Sequence, residues 1–190
     1  MASIQVDNGQ GFSHICGGSV IETKLILTAA HCLKDQLVSQ MRIVFGSGDL
    51  SLAGPYRIER NVSEAIIHPL YHDGQSYYDV AVLVLDKELD FSEGVTKICL
   101  PSEATDDGSQ RSGHFATLTG WGATKPGGAT SSELRHATMM IFAEQYCNQS
   151  RSTLDDQGTA LSDSTLVPNL FQSSVFCAGL SEIVLHQPIH

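Results

Sequence analysis

Short apolar runs separated by Gly, Pro, Asn, Asp and Ser recur along the chain, and no long stretch keeps the three-to-four-residue rhythm of an amphipathic helix. The runs are rich in Val, Ile, Leu, Thr and Phe. They predict strands over Ser13–Ile21, Lys24–Thr28, Met41–Phe45, Tyr56–Ile67, Val80–Leu85, Phe115–Gly120, Leu134–Phe142 and Ser174–Ala178. Asp73-Gly74 and Pro126-Gly127-Gly128 punctuate them as turns. The exceptions are a turn over Thr28–Leu33 and a short helix near Ala143–Asn148. The pattern is that of an all-β protein. Between Pro101 and Gly113 the chain is polar and turn-rich, which reads as a linker between β units over residues 1–105 and 106–190.

Composition narrows the partners. With 190 residues the chain can bury a real core. Acidic side chains outnumber basic ones by 21 to 11, and such a surface repels phosphate backbones and anionic headgroups, so no nucleic acid is expected as a partner. The longest apolar run, Val80–Leu85, is far shorter than the roughly 18 residues a membrane helix needs, so no membrane span is expected. Met1–Asn8 shows neither the basic nor the apolar region of a signal peptide. Five cysteines stand at positions 16, 32, 99, 147 and 177, none in a Cys-x-x-Cys pair. That spacing is wrong for a zinc knuckle or a dithiol redox site, and two disulfides plus a leftover suit an oxidised protein. Asn61-Val62-Ser63 and Asn148-Gln149-Ser150 are formal N-glycosylation sequons.

Candidate chemistry lies in two segments. Thr28-Ala29-Ala30-His31-Cys32 follows an apolar strand, and its small residues permit a tight turn that the cysteine would pin. A neutral imidazole held there suits a general base near pH 7, although a single His beside a Cys is most often structural. Asp79 opens the run Val80-Ala81-Val82-Leu83-Val84-Leu85, whose continuity predicts burial on both faces. A carboxylate at the mouth of such a strand needs a donor, and an imidazole Nδ1–H is one. Gly120-Trp121-Gly122 reads as a tight turn with a packed aromatic. His68 and His72 are spaced by four, but Pro69 argues against the helix that would make them a metal pair.

Taken in order, Cys16-Gly17-Gly18-Ser19, Thr28-Ala29-Ala30-His31-Cys32, Asp79-Val80-Ala81-Val82-Leu83, Gly120-Trp121-Gly122 and Phe176-Cys177-Ala178-Gly179 resemble the trypsin/chymotrypsin-like serine endopeptidases. The resemblance runs from about Met1 to Leu180. It implies a chymotrypsin-like double antiparallel β-barrel with the active site in the cleft between barrels. It implies His31 as general base and Asp79 as orienting carboxylate, in the His-then-Asp order of that family. It also implies disulfides Cys16–Cys32 and Cys147–Cys177, each worth about 3–4 kcal/mol through loop entropy. Cys99 is then left over, and in many relatives the matching cysteine ties the domain to an upstream chain. Met1–Val6 resembles the strand that the family places after its activation terminus, and His68-Pro69-Leu70-Tyr71 resembles a surface segment. Protein substrates, protease inhibitors and an extracellular location are implied, with no metal and no cofactor.

The resemblance stops at the nucleophile. The family's serine sits in Gly-Asp-Ser-Gly-Gly downstream of Phe-Cys-Ala-Gly, but here Gly179-Leu180 leads into Ser181–His190, and no Gly-Asp-Ser-Gly-Gly or Gly-x-Ser-x-Gly occurs anywhere. Ser173 and Ser174 precede the motif and do not replace it. In the family that segment also supplies the oxyanion amides and the specificity pocket. The expectation is therefore an incomplete second barrel, poorly stable at its open edge, and a chain that is inactive alone. The alternative is a non-catalytic homologue acting as a binding or regulatory module, which has little need of His31 and Asp79.

Overall fold

Strands with one apolar face can bury that face by curling into a closed sheet. The computed structural model shows this for six of them. It describes residues 1–74, 78–91, 94–100, 112–125 and 127–142, with strand segments at 153–154, 160–161 and 177–179. Two compact units are distinguished, Met1–Leu100 with Thr119–His136, and Pro101–Leu118 with Ala137–His190.

In the first unit β1 (Ala2–Asp7), β2 (Phe12–Glu22), β3 (Leu25–Thr28), β4 (Met41–Phe45), β5 (Ile58–Ile67) and β6 (Ala81–Leu85) form a closed barrel in the order β1-β2-β3-β6-β5-β4. Every neighbouring pair is antiparallel, and Ile4 opposite Ile43 helps close the ring. Register breaks between Ile4 and Gln5, Val20 and Glu22, and Val62 and Glu64 let the strands bend around it. Ile4, Ile26, Ile43 and Leu83 are fully buried inside, with Val20 and Leu85 beside them. Each such side chain contributes roughly 1.5–3 kcal/mol of burial.

Two expectations change. Alternation alone missed β1, which only the family resemblance supplied, because two of its residues are polar yet buried. Ser3 and Gln5 are 0% and 4% exposed, and a hydrogen-bond chain satisfies them. Arg42 Nε donates to Gln5 Oε1 (2.9 Å), Gln5 Nε2 donates to Ser3 Oγ (3.3 Å), and Ser3 Oγ lies 2.8 Å from His14 Nδ1. Burial holds the His14 imidazole below its usual range. The second correction concerns β6, which is not buried on both faces. Ala81, Leu83 and Leu85 are buried, whereas Val82 and Val84 are half-buried and Val80 is exposed. A closed antiparallel barrel has one inside, so even a continuous apolar run alternates.

The returning segment Thr119–His136 belongs to the first unit. Ser131 N–H donates to the Trp121 carbonyl (2.8 Å), Leu134 N–H to Gly48 (2.7 Å) and Leu50 N–H to Ser132 (2.9 Å). Trp121 is 2% exposed and meets the His14 ring edge-on, 5.5 Å between centroids. The remaining strands are β7 (Phe115–Gly120), β8 (Arg135–Phe142) and β11 (Cys177–Gly179), in the order β11-β8-β7, and the pair β9 (Thr153–Leu154) with β10 (Ala160–Leu161). Among the described residues these do not close into a second barrel. The Cys147–Cys177 pairing, the Asn148 sequon, the helix at Ala143–Asn148 and most of the Pro101–Gly113 stretch lie outside the described residues. Among those described, no helix is long and apolar enough to cross a membrane.

Gly18 stands where β1, β2 and β3 crowd together. A Cβ there would lie 2.7 Å from Ile26 Cγ2 and 3.2 Å from the Leu27 carbonyl oxygen, and buried Ile26 has nowhere to move. Gly18→Ala is expected to destabilise the chain by about 1–3 kcal/mol, read as a lower urea midpoint with an unchanged slope.

Candidate active site

The first half of the site is built where β3 ends. Thr28 Oγ1 donates to the Gly17 carbonyl (2.9 Å), which fastens the strand end to β2. Ala29 and the fully buried Ala30 then allow a tight turn into a 3-10 helix, Ala30–Leu33, with Cys32 N–H donating to the Ala29 carbonyl (3.3 Å). Cys32 is bonded to Cys16 of β2, with 6.0 Å between their Cα atoms. Ala30, Cys32 and Leu33 face inward, so His31 is the residue of this helix that points out, its side chain 62% exposed.

The second half precedes β6. Asp79 is a quarter exposed, and its carboxylate collects N–H donors from the His31 turn. His31 N–H reaches Oδ1 at 2.8 Å, and His31 Nδ1 lies 2.7 Å from Oδ2. Burial alone would raise the Asp79 carboxyl. The His31 ring and backbone N–H groups, the His31 charge and the Ala30 N–H outweigh that, and the net position is below the usual carboxylate range. An ionised carboxylate can only accept, so Nδ1 carries the proton, and whenever the ring is neutral Nε2 holds the lone pair. Nε2 lies 3.5 Å from Cys32 Sγ. Neither atom carries a proton in this tautomer, so that contact is packing, with the imidazole resting on the disulfide.

Cys16, His31 and Cys32 bring metal-ligand atoms within 4.8 Å of one another, but the two sulfurs are bonded together and a single imidazole remains as a donor. His68, one of the two histidines spaced by four, is occupied otherwise. Its Nδ1 accepts the Leu70 N–H (3.2 Å) and its ring stacks on Tyr78. Asn61 is exposed on β5, with its backbone and side-chain amides both on Asp86 (3.1 and 3.3 Å). Cys99 carries an exposed free thiol.

Several contributors had no readable signal in the sequence. The Ala30 and His31 backbone donors appear only once the turn is folded. Lys34 pairs with Asp73, a neighbour across a long loop. Tyr78, directly before Asp79, has a left-handed backbone with φ +55°, which no propensity of tyrosine suggests.

An outward imidazole is thus tied through Nδ1 to a shielded carboxylate at the rim of an all-β barrel. The sequence model of the trypsin family matches residues 1–181. Over 142 residues the chain is 41% identical to "Serine proteinase stubble" of Drosophila melanogaster, covering 72% of this chain and 17% of that one. It is 30% identical over 182 residues to "Transmembrane protease serine 11A" of Homo sapiens (95% and 38%), and 31% over 170 residues to "Trypsin zeta" of Drosophila melanogaster (88% and 55%). The chain belongs to the trypsin family of serine proteases and has its fold. It spans little more than half the length of these relatives at most.

The depressed Asp79 carboxyl has a consequence for stability. Its contribution is fully present above the ordinary aspartate value of about 3.9 and is lost as pH falls through the lower folded value. Asp79→Asn is expected to be less stable at neutral pH and to lose stability less steeply between about pH 4 and pH 2, measured by urea unfolding at a series of pH values.

Proposed function

We propose that the chain carries the base-and-carboxylate half of a serine endopeptidase site acting on protein or peptide substrates outside the cell. His31 Nε2 is the general base and Asp79 the residue that orients it. The observation that carries this reading is the 2.7 Å contact between His31 Nδ1 and Asp79 Oδ2, made by an imidazole whose side chain is 62% exposed. The Cys16–Cys32 disulfide supports an oxidising, extracellular setting, and the exposed Cys99 thiol is placed to join a further chain.

In such a site Nε2 takes the proton of a serine hydroxyl as its oxygen attacks the peptide carbonyl, then gives that proton to the departing amine. Asp79 holds the ring in the reactive tautomer and stabilises the imidazolium formed in between. The sequence contains no Gly-Asp-Ser-Gly-Gly, so the 190-residue polypeptide supplies a base without that nucleophile. It is expected to show no peptide hydrolysis by itself.

The test is turnover of a broad peptide panel by the purified 190-residue chain, beside sequencing of the transcript across the Leu180 codon. No turnover is expected. Cleavage that disappears in His31→Ala would overturn the view that the site is incomplete. In a longer product of the same frame carrying Gly-Asp-Ser-Gly-Gly, Asp79→Asn should lower kcat by about 10⁴, as in the type enzymes of this mechanism. Turnover there that is insensitive to His31→Ala would remove His31 from its role.

A further inference from the structure

We infer that Tyr78, held by His68, is a positioning residue for Asp79: the stacked rings keep residue 78 in a left-handed backbone that turns the following carboxylate onto His31. The inference rests on reading His31 and Asp79 as base and orienting carboxylate, and adds what aims that carboxylate.

The reasoning begins with the backbone. At φ +55° Tyr78 occupies a region that bulky side chains rarely enter, so its surroundings must hold it there. A turn built only to reverse the chain would take Gly or Asn, which enter that region with little strain. A tyrosine is intelligible there if its ring contributes. The ring lies nearly parallel to that of His68, 4.9 Å between centroids and 7° between planes, an arrangement aromatic pairs favour when offset.

His68 is itself a fixed platform. Its N–H donates to the Val80 carbonyl (3.1 Å), continuing the β5–β6 ladder one step beyond Ile67 opposite Ala81, and its Nδ1 accepts the Leu70 N–H (3.2 Å). Beyond that step the chain leaves the ladder. Val80 N–H donates to the Tyr78 carbonyl at 2.7 Å, a three-residue turn with Asp79 at its centre. The donors to Asp79 stand on a different segment, the disulfide-pinned turn at Ala30 and His31. Returning residue 78 to an extended or right-handed conformation rotates the peptide plane before Asp79 and swings the carboxylate off those donors. The stack opposes that rotation.

Carbon-13 NMR titration of the Asp79 side-chain carboxyl in the 190-residue chain tests this, with the Trp121 indole resonance as a check on the fold. The wild-type midpoint should lie below the ordinary aspartate value, and Tyr78→Phe, which keeps the ring, should match it. Tyr78→Ala should shift the midpoint upward toward the ordinary value with the Trp121 signal unmoved. His68→Ala should do the same from the other side of the stack, and it serves as the reporter if Tyr78→Ala fails to fold. A wild-type midpoint in the folded alanine variants would overturn the inference, as would Tyr78→Phe behaving like Tyr78→Ala. An ordinary midpoint in the wild-type chain would instead overturn the His31–Asp79 pairing itself, and the positioning role with it.

Discussion

The arrangement turns on one carboxylate that collects N–H groups from a single short turn. Asp79 is where the chain running into β6 meets the disulfide-pinned 3-10 helix that follows β3, and that meeting ties the two segments together at the barrel rim. The barrel prepares the encounter. β3 and β6 are neighbours, and their last ladder pair is Thr28 opposite Ala81. His31 lies three residues beyond one member of that pair and Asp79 two residues before the other, so the site extends the register past the point where backbone pairing ends. A one-residue slip of the β3–β6 ladder would put either Ile26 or its partner Leu83 on the outside, so the burial that fixes the register also fixes the approach of His31 to Asp79.

Exposure divides the pair unevenly, and the chemistry follows from the division. The carboxylate side chain is 25% exposed while the imidazole is 62% exposed. Shielding makes the hydrogen bonds to Asp79 strong enough to outweigh its own desolvation, which keeps it charged and therefore an acceptor. A permanent acceptor on the Nδ1 side determines the tautomer. Nε2 then keeps its lone pair, on a ring that is largely exposed and packs against Cys32 Sγ at 3.5 Å. Cys32 adds a mechanical element, because its disulfide to β2 clamps the turn from below while its sulfur packs against the ring.

Much of this was legible in the residues. The strand runs located most of the barrel, since inward positions such as Val20, Ile26, Ile43 and Leu83 are apolar and spaced by two along their strands' faces. His31, Cys32 and Asp79 stood out as residue types at particular places relative to predicted strands. What the pattern hid was polar burial and backbone conformation. Ser3 and Gln5 break the alternation of β1 because their partners, His14 and Arg42, come from other strands. Val82 and Val84 suggested a doubly buried strand because hydrophobicity records composition and not which side of a closed sheet a residue occupies. Tyr78 gave no sign of its left-handed turn, and the ring it stacks on, His68, lies on the far side of a loop.

The geometry of the His31–Asp79 pair is set within one part of the fold. His31, Asp79, Cys16, Cys32, His68 and Tyr78 all lie within Met1–Leu100, in the unit that closes its own barrel. The free energy holding the pair comes from that barrel's buried aliphatics and one disulfide, and none of the described contacts to His31 or Asp79 is drawn from the second unit. On the proposed reading, a base and its orienting carboxylate are therefore preorganised by contacts within the first unit. In a reaction where fixed dipoles and a fixed tautomer supply much of the rate, that preorganisation comes, among the described residues, from the first unit.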